Sequence, residues 1–382
     1  DSFFYTIKRR LLGNPLNRHS LNHQRLSKRY GLGILSSDCI SSSAYGSEQI
    51  LIALLPAFGL AAFAILMPMT AIVLVILLII TLSYRDVINV YTKVGGAYIV
   101  SRDNFGPVVA QIAAVALMLD YIVTIAIQSA AGVAAIISTF PSLSPYKIPM
   151  ILVVIILLTY GNLRGVKEAG KAFALPTYFF VGCMLIVFSV GLYKQFNGTL
   201  IQLSVEQPGA IEIGQEQGLL TFAAIFILLR AFANGGSSLT GLEAISDGVA
   251  LFKTPEHVNA RRTLYTMSAL LGTMVLGVSW FAHKIHAVPY ESGTPTVISQ
   301  IAKTIMGDGV IGQTMFVMVQ LATMLILFAG ANTTYSAFPL LVNFVATDGY
   351  LPRQLTKRGH RLAFSNGILL LAGGGIFLVL IT

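Results

Sequence analysis

Charged residues are scarce in this chain of 382 residues. They make up 11% of it, while 55% is hydrophobic; about a quarter of an average soluble domain is charged. That composition excludes an ordinary soluble enzyme or binding module. Cysteine is nearly absent as well. Cys39 and Cys183 lie in different apolar segments, which argues against a disulfide framework or a zinc site and makes both small packing residues. The six histidines (His19, His23, His257, His283, His286 and His360) fall in loops or near the ends of apolar stretches. A metal or catalytic centre built on intramembrane histidine is therefore unsupported. The serines have no intramembrane His partner, so a membrane-embedded enzyme is the least favoured reading and no cofactor is expected.

What remains is a series of apolar blocks separated by short polar loops, the pattern of a polytopic membrane protein. A spanning helix needs about 20 mostly apolar residues. By that rule nine spans are predicted, starting near residues 34, 61, 107, 148, 172, 218, 263, 309 and 362. With the N-terminus assigned to the cytoplasm, 20 of the 25 Lys and Arg fall inside, in residues 1–30, 84–106, 161–171, 253–262 and 353–361. Lys147, Lys194, Lys284 and Lys303 fall outside and Arg230 lies within a span. Such a bias is the positive-inside rule. The net charge of +9 is thus topological and implies no nucleic-acid partner. A multi-pass cell-membrane protein without a cleavable signal peptide is expected.

Two of the apolar stretches are interrupted by glycine and serine beside carboxylates. One is GILSSDCISSSAYGSEQILIALLP (Gly33 to Pro56), the other ILLRAFANGGSSLTGLEAISDGVALF (Ile227 to Phe252). Unwound backbone survives in hydrocarbon only where it lines a cavity or is buried in protein, and paired broken helices point to a transporter's central site. The pairing divides the chain. Residues 1–30 form a basic cytoplasmic lead-in able to touch anionic lipid. Residues 31–193 hold spans one to five, and 194–217 form an outer loop with Glu206, Glu212 and Glu216. Residues 218–382 repeat the order of a broken helix followed by further spans. Five spans is an odd number, so the two units are expected to be inverted repeats. The second holds four spans, and at least one more helix is expected to complete it. Residues 84–106 and 335–361 read as short amphipathic helices or loops at the inner face, and 292–307 as an outer cap.

An ionisable group inside a span costs roughly 2.5–3.5 kcal/mol on insertion scales, so each one points to a hydrated or paired place. Asp38, Glu48, Asp120, Arg230, Glu243 and Asp247 are the candidates. Asp38 and Tyr45 share one face of a regular helix, with unwinding placed in the CISSSA run between them. Asp38 reads either as a ligand or as the cap of a half-helix. Glu48 reads as a ligand, an outer-gate residue or an ion-pair partner of Arg230. Asp120 reads as a site residue or as a helix contact bonded to a hydroxyl, and Tyr121, Thr124 and Gln128 extend its stripe. Thr240 and Glu243, at i and i+3, follow Asn234-Gly235-Gly236. Asp247, near the inner end of its span, reads as solvated. Carboxylates, hydroxyls and freed carbonyls are hard oxygen donors suited to a dehydrated monovalent cation. Low dielectric favours the neutral form of a carboxyl group, so Glu243 or Asp38 can exchange a proton for a cation.

The segments SSDCISSSAYGSEQ (36–49), VGGAYIVSRDNFG (94–106), LDYIVT (119–124), NLRG (162–165), LTGLEAISDGV (239–249) and ANTTYSAFP (331–339) resemble the amino acid–polyamine–organocation superfamily. Within it the likeness is to the KUP-type potassium importers, from about residue 5 onward. The resemblance implies an all-α, LeuT-like fold of twelve spans with broken first and sixth helices, a cytosolic C-terminal domain and a homodimer. It implies K⁺ ligands at Asp38, Tyr45, Tyr121, Thr124, Thr240 and Glu243, with H⁺ as the coupling ion. Gln128 departs from the serine of that family and is carried over only weakly, alongside Asp120 and Glu48. Regulation by a cyclic dinucleotide would belong to the C-terminal domain, outside this sequence.

The leading expectation is therefore K⁺ uptake coupled to H⁺ by alternating access. An amino-acid or polyamine permease on the same scaffold is the runner-up. Carriers of that kind place a small G-S/T-G run in the first break for the substrate carboxylate, where this chain has Asp38 and serines. A channel needs a pore-loop filter; no TVGYG-like segment occurs, and TDGY (347–350) falls in an inner loop.

Overall fold

The computed structural model describes residues 26–91, 96–164, 174–214, 221–357 and 364–381. The basic lead-in thus lies almost wholly outside the described residues, as does Glu216 of the outer loop. The protein is all-helical, and seven of the described helices, from 23 to 38 residues long, are long and apolar enough to cross a membrane. Two predicted spans are not among the seven. The first is cut into short pieces, and the last is the 17-residue helix Ser365–Ile381.

The first span consists of α1 (Lys28–Leu35), α2 (Ser37–Ser41), a 3-10 turn over Ser42–Ala44 and α3 (Gly46–Phe58). Its sequence explains the interruption. Ser41, Ser42 and Ser43 donate to the carbonyls of Asp38, Cys39 and Ile40 at 2.7, 2.6 and 2.7 Å, and Ser36 donates to Leu32 O. Hydroxyls bonded back along the chain compete with the regular ladder and bend it. Residues α4 (Ala61–Val90), α5 (Gly96–Phe105), α6 (Pro107–Thr139), α7 (Lys147–Leu163) and α8 (Ala174–Phe196) follow.

The sixth span is broken differently. Helix α9 (Phe222–Gly236) runs straight through Asn234-Gly235-Gly236, and the interruption comes later, over Ser237–Leu242, before the short α10 (Glu243–Asp247). The break thus falls inside the segment expected to be interrupted, just after the glycine pair. Gly235 is a packing glycine; a Cβ there would lie 2.9 Å from Ile50 Cδ1. The chain turns instead at Gly241, with φ +81° after the extended Thr240, a conformation that favours glycine. Thr240 and Glu243 therefore do not share a helical face.

The remaining elements are α11 (Glu256–Ile285), α12 (Val297–Met306), α13 (Val310–Thr347) and α14 (Ser365–Ile381). Helix α12 matches the predicted outer cap. At the inner face two expectations are corrected, because residues 84–90 continue α4 and residues 335–347 continue α13 without interruption. At 1.5 Å per residue α13 is about 57 Å long, well beyond the roughly 30 Å of hydrocarbon. Pro339 lies inside it, tolerated where neighbouring helices close over the backbone; Gly367 of α14 packs on Pro339, its Cβ position 2.9 Å from the ring.

Small residues bring the two breaks together. Ser42 Oγ lies 2.7 Å from Ser238 O, and Asn234 Nδ2 donates to Gln49 O at 3.1 Å. A Cβ on Gly46 would sit 1.8 Å from Ser238 Oγ, so glycine is what allows α3 to approach. Hydroxyls join other helices, as expected of membrane bundles: Ser279 on α11 bonds Ser47 of α3 at 2.7 Å and Thr70 of α4 at 2.8 Å. At the inner end Leu26 N donates to Leu251 O at 2.6 Å and Lys253 N to Leu26 O at 3.0 Å.

Candidate functional site

Two cavities lie on opposite sides of the crossing point of the broken spans, named inner and outer after the orientation expected from the sequence. The inner one, about 260 Å³, is bounded by Asp38, Glu243 and Asp247 from the two breaks, Tyr121 of α6 and Thr333 of α13. The outer one, about 230 Å³, is bounded by Tyr45 and Glu48 of the first break, Lys147 of α7 and Thr296 before α12. Between them Ser41, Ser42 and Ser43 are at most 1% exposed. The buried serine run thus lies between the two cavities as a partition, with Asp38 bordering one and Tyr45 the other.

This arrangement divides the residues singled out in the sequence. Asp38, Tyr121 and Glu243 reach the inner cavity, and Tyr45 and Glu48 the outer. Asp38 and Tyr45 border different cavities, and the 3-10 turn over Ser42–Ala44 that parts them falls in the CISSSA run where unwinding is expected. Thr124 and Gln128 are buried on α6 and line neither cavity, and Thr240 is half-buried near the Tyr45 ring. Asp38 caps no helix; its carboxylate Oδ1 accepts from Gln128 Nε2 at 2.5 Å. Gln128, the weakest of the candidates, is thus the residue that fixes Asp38, and its own Oε1 is buried without a partner. A buried carbonyl oxygen left unsatisfied is costly and invites a donor or a cation.

Three further readings are extended or changed. Asp247 is partly exposed, as read, but it also borders the inner cavity and abuts Gly96, whose Cβ position is 1.8 Å from Asp247 Oδ1. Asp120 is half-buried and bonds no hydroxyl among the described residues, but it lies within electrostatic reach of Asp38 and Glu243. Glu48 does not pair with Arg230, which faces outward from α9; its Oε2 accepts from Val297 N at 3.3 Å. The sequence reading missed Thr333, close to Asp38, and Asn332, which accepts from Asn162 Nδ2 at 2.7 Å. Their signal was the polar ANTTYS run inside an apolar span.

Among the described residues no Lys or Arg forms an ion pair with Asp38, Asp120, Glu243 or Asp247. Three carboxyl groups on one cavity, with Asp120 in electrostatic reach of two of them and no basic partner, make it a place for a cation or for protons. Its inner rim is closed by α5, where Tyr98 Oη donates to Asp348 Oδ2 at 2.7 Å and Arg102 to the same oxygen at 2.8 Å. The Tyr98 hydroxyl first, then Arg102, hold the Asp348 carboxyl below its ordinary range.

A family model described as amino acid permease matches residues 32–382. The chain belongs to the amino acid permease family. It is also 41% identical over 379 residues to the "Potassium transporter KimA" of Bacillus subtilis (strain 168), an alignment covering 99% of this chain and 60% of that protein. The chain thus spans about three fifths of the length of that curated relative. The match takes in both broken spans and every residue of the two cavities named above, so the permease scaffold includes the whole candidate site. Gly241 is a point where that scaffold can be tested. Alanine there brings a strained positive φ, about 1–2 kcal/mol, and a Cβ 2.9 Å from the Asp38 carboxyl. Gly241→Ala is expected to unfold several degrees below the parent in a detergent size-exclusion melting series. Gly236→Ala, where a Cβ meets open space, is expected to melt with the parent.

Proposed function

We propose that this protein imports K⁺ across the cell membrane by symport with H⁺, working by alternating access on a LeuT-like pair of inverted repeats. The observation that carries the reading is the facing pair of breaks, each delivering a carboxylate, Asp38 and Glu243, to one cavity without a basic partner. The relative's name supports K⁺ as the cargo. In this reading K⁺ sheds its water onto Asp38, Tyr121 and Glu243 in the inner cavity, and Tyr45, Thr124, Thr240 and the Gln128 oxygen join them only in a state where the serine run between the cavities has rearranged. Two cavities that stop at a partition suit a carrier, since a channel needs one continuous path. The working unit is proposed to be a homodimer in the cell membrane with the N-terminus in the cytoplasm.

Amino-acid or polyamine transport is the second reading, favoured by the family's description. Against its amino-acid form stands Asp38 in the first break, which would repel a substrate carboxylate; a polyamine would meet no such repulsion. Uptake by proteoliposomes under imposed K⁺ and pH gradients separates the two. Saturable ⁸⁶Rb⁺ or K⁺ uptake, stimulated by an inward proton gradient and unaffected by a mixture of amino acids and polyamines, is the expected result. Amino-acid or polyamine uptake with no K⁺ flux would overturn the proposal.

A further inference from the structure

The outer cavity holds one carboxylate, Glu48, and it is 7% exposed. Its Oε2 is met by the Val297 amide at 3.3 Å, long beside the 2.7–2.9 Å usual for hydrogen bonds to a charged oxygen. Among the described residues no ion pair joins it. Lys147 is within electrostatic reach, but its Nζ donates to Ser292 O at 2.6 Å on the rim. Tyr45, Gln49, Thr296 and Thr323, all oxygen-bearing side chains, border the same cavity. Hard oxygens around a buried carboxylate that has only one weak neutral donor suit a monovalent cation.

Resting on the transport reading above, we propose that Glu48 is a second, outer cation site, occupied by K⁺ before it reaches the Asp38–Glu243 centre. Val297 N–H and the cation are alternatives at the same carboxylate. When α12 lifts, the amide leaves Glu48 and the cation takes its place; when α12 returns, the amide displaces the cation toward Tyr45. Tyr45 lies three residues before Glu48, about one helical turn inward, so Cβ atoms ~5–6 Å apart make the transfer short. The direction of movement follows from the geometry, because Glu48 is outside the serine partition and Asp38 inside it.

Glu48→Gln isolates the charge, since the amide oxygen of Gln can still accept from Val297 N and hold α12. If Glu48 only anchors α12, this variant should match the parent. As a cation site it should show an apparent KM for K⁺ raised about tenfold, the loss of one charge contact in a partly hydrated cavity. A second readout is independent of flux. Ile52, one turn further along α3, also borders the cavity, whereas Cys39 and Cys183 are buried. With Ile52→Cys, K⁺ should slow alkylation by an impermeant thiol reagent, and Glu48→Gln should abolish that protection. If Glu48→Gln fails to reach the membrane, Val297→Pro decides. It removes the competing donor at the first position of α12, where proline is tolerated, and Thr296 already has the extended backbone proline requires. Its KM should fall severalfold; an unchanged or raised KM overturns the proposal. So does Glu48→Gln with parental KM and intact K⁺ protection. No K⁺ uptake by the parent would instead reject the transport reading itself.

Discussion

Asp38→Asn is expected to abolish K⁺ uptake, lowering the rate at subsaturating K⁺ by at least about 100-fold. The estimate follows from removing one charge from a buried site, worth on the order of 3 kcal/mol or more. The substitution leaves shape almost unchanged. Asn keeps an oxygen for Gln128 Nε2, and Asp38 makes no ion pair among the described residues that its loss would orphan. The protein should therefore remain monodisperse in detergent while losing both net uptake and ⁸⁶Rb⁺/K⁺ exchange. Wild-type exchange in this variant would show that the cation is held without Asp38 and that the carboxylate serves only to fix the serine partition.

Much of this arrangement is legible in the residues, and the exceptions share a cause. Span positions follow from composition, because hydrocarbon enforces long apolar runs whatever the tertiary packing. Both breaks are visible too, since serine runs and glycines inside such runs have few other uses. The location of a break within its segment is another matter. Asn234-Gly235-Gly236 looks like unwinding, but whether a glycine unwinds or packs depends on a neighbour from elsewhere in the chain, here Ile50. The same dependence explains Glu48, whose partner is a backbone amide 249 residues away and so carries no side-chain signature. Asp247 looked solvated because it sits near the end of its span; α5, folding beneath it, makes it part of the cavity. Asp38 and Tyr45 part for a local reason that the serine run announces. A helical face continues only while the helix does, and three serines bonded to their own backbone end it.

Glu243→Gln is expected to separate proton coupling from cation binding. Around the inner cavity Asp38 has a fixed donor in Gln128, which a proton on Oδ1 would have to displace. The Glu243 carboxyl has its own backbone amide as donor and no side-chain donor among the described residues, so proton and cation can exchange there without displacing a partner side chain. Asp120, Asp247 and Asp38 all lie within its electrostatic reach. Bringing K⁺ in therefore changes the charge around Glu243 more than around any isolated acid. In the symport reading Glu243 loads its proton while the site is open outward, so uptake by the parent should rise as the outer pH falls. Glutamine mimics the protonated form permanently. Acid-driven K⁺ accumulation in proteoliposomes should then fall by on the order of 100-fold, while ⁸⁶Rb⁺/K⁺ exchange at equal pH persists through Asp38. The pair of variants assigns the two roles: loss of exchange with Asp38→Asn, and loss of pH drive alone with Glu243→Gln. Acid-driven accumulation that survives in Glu243→Gln would move the proton to another carboxyl of the cavity, with Asp120 and Asp247 next to be substituted.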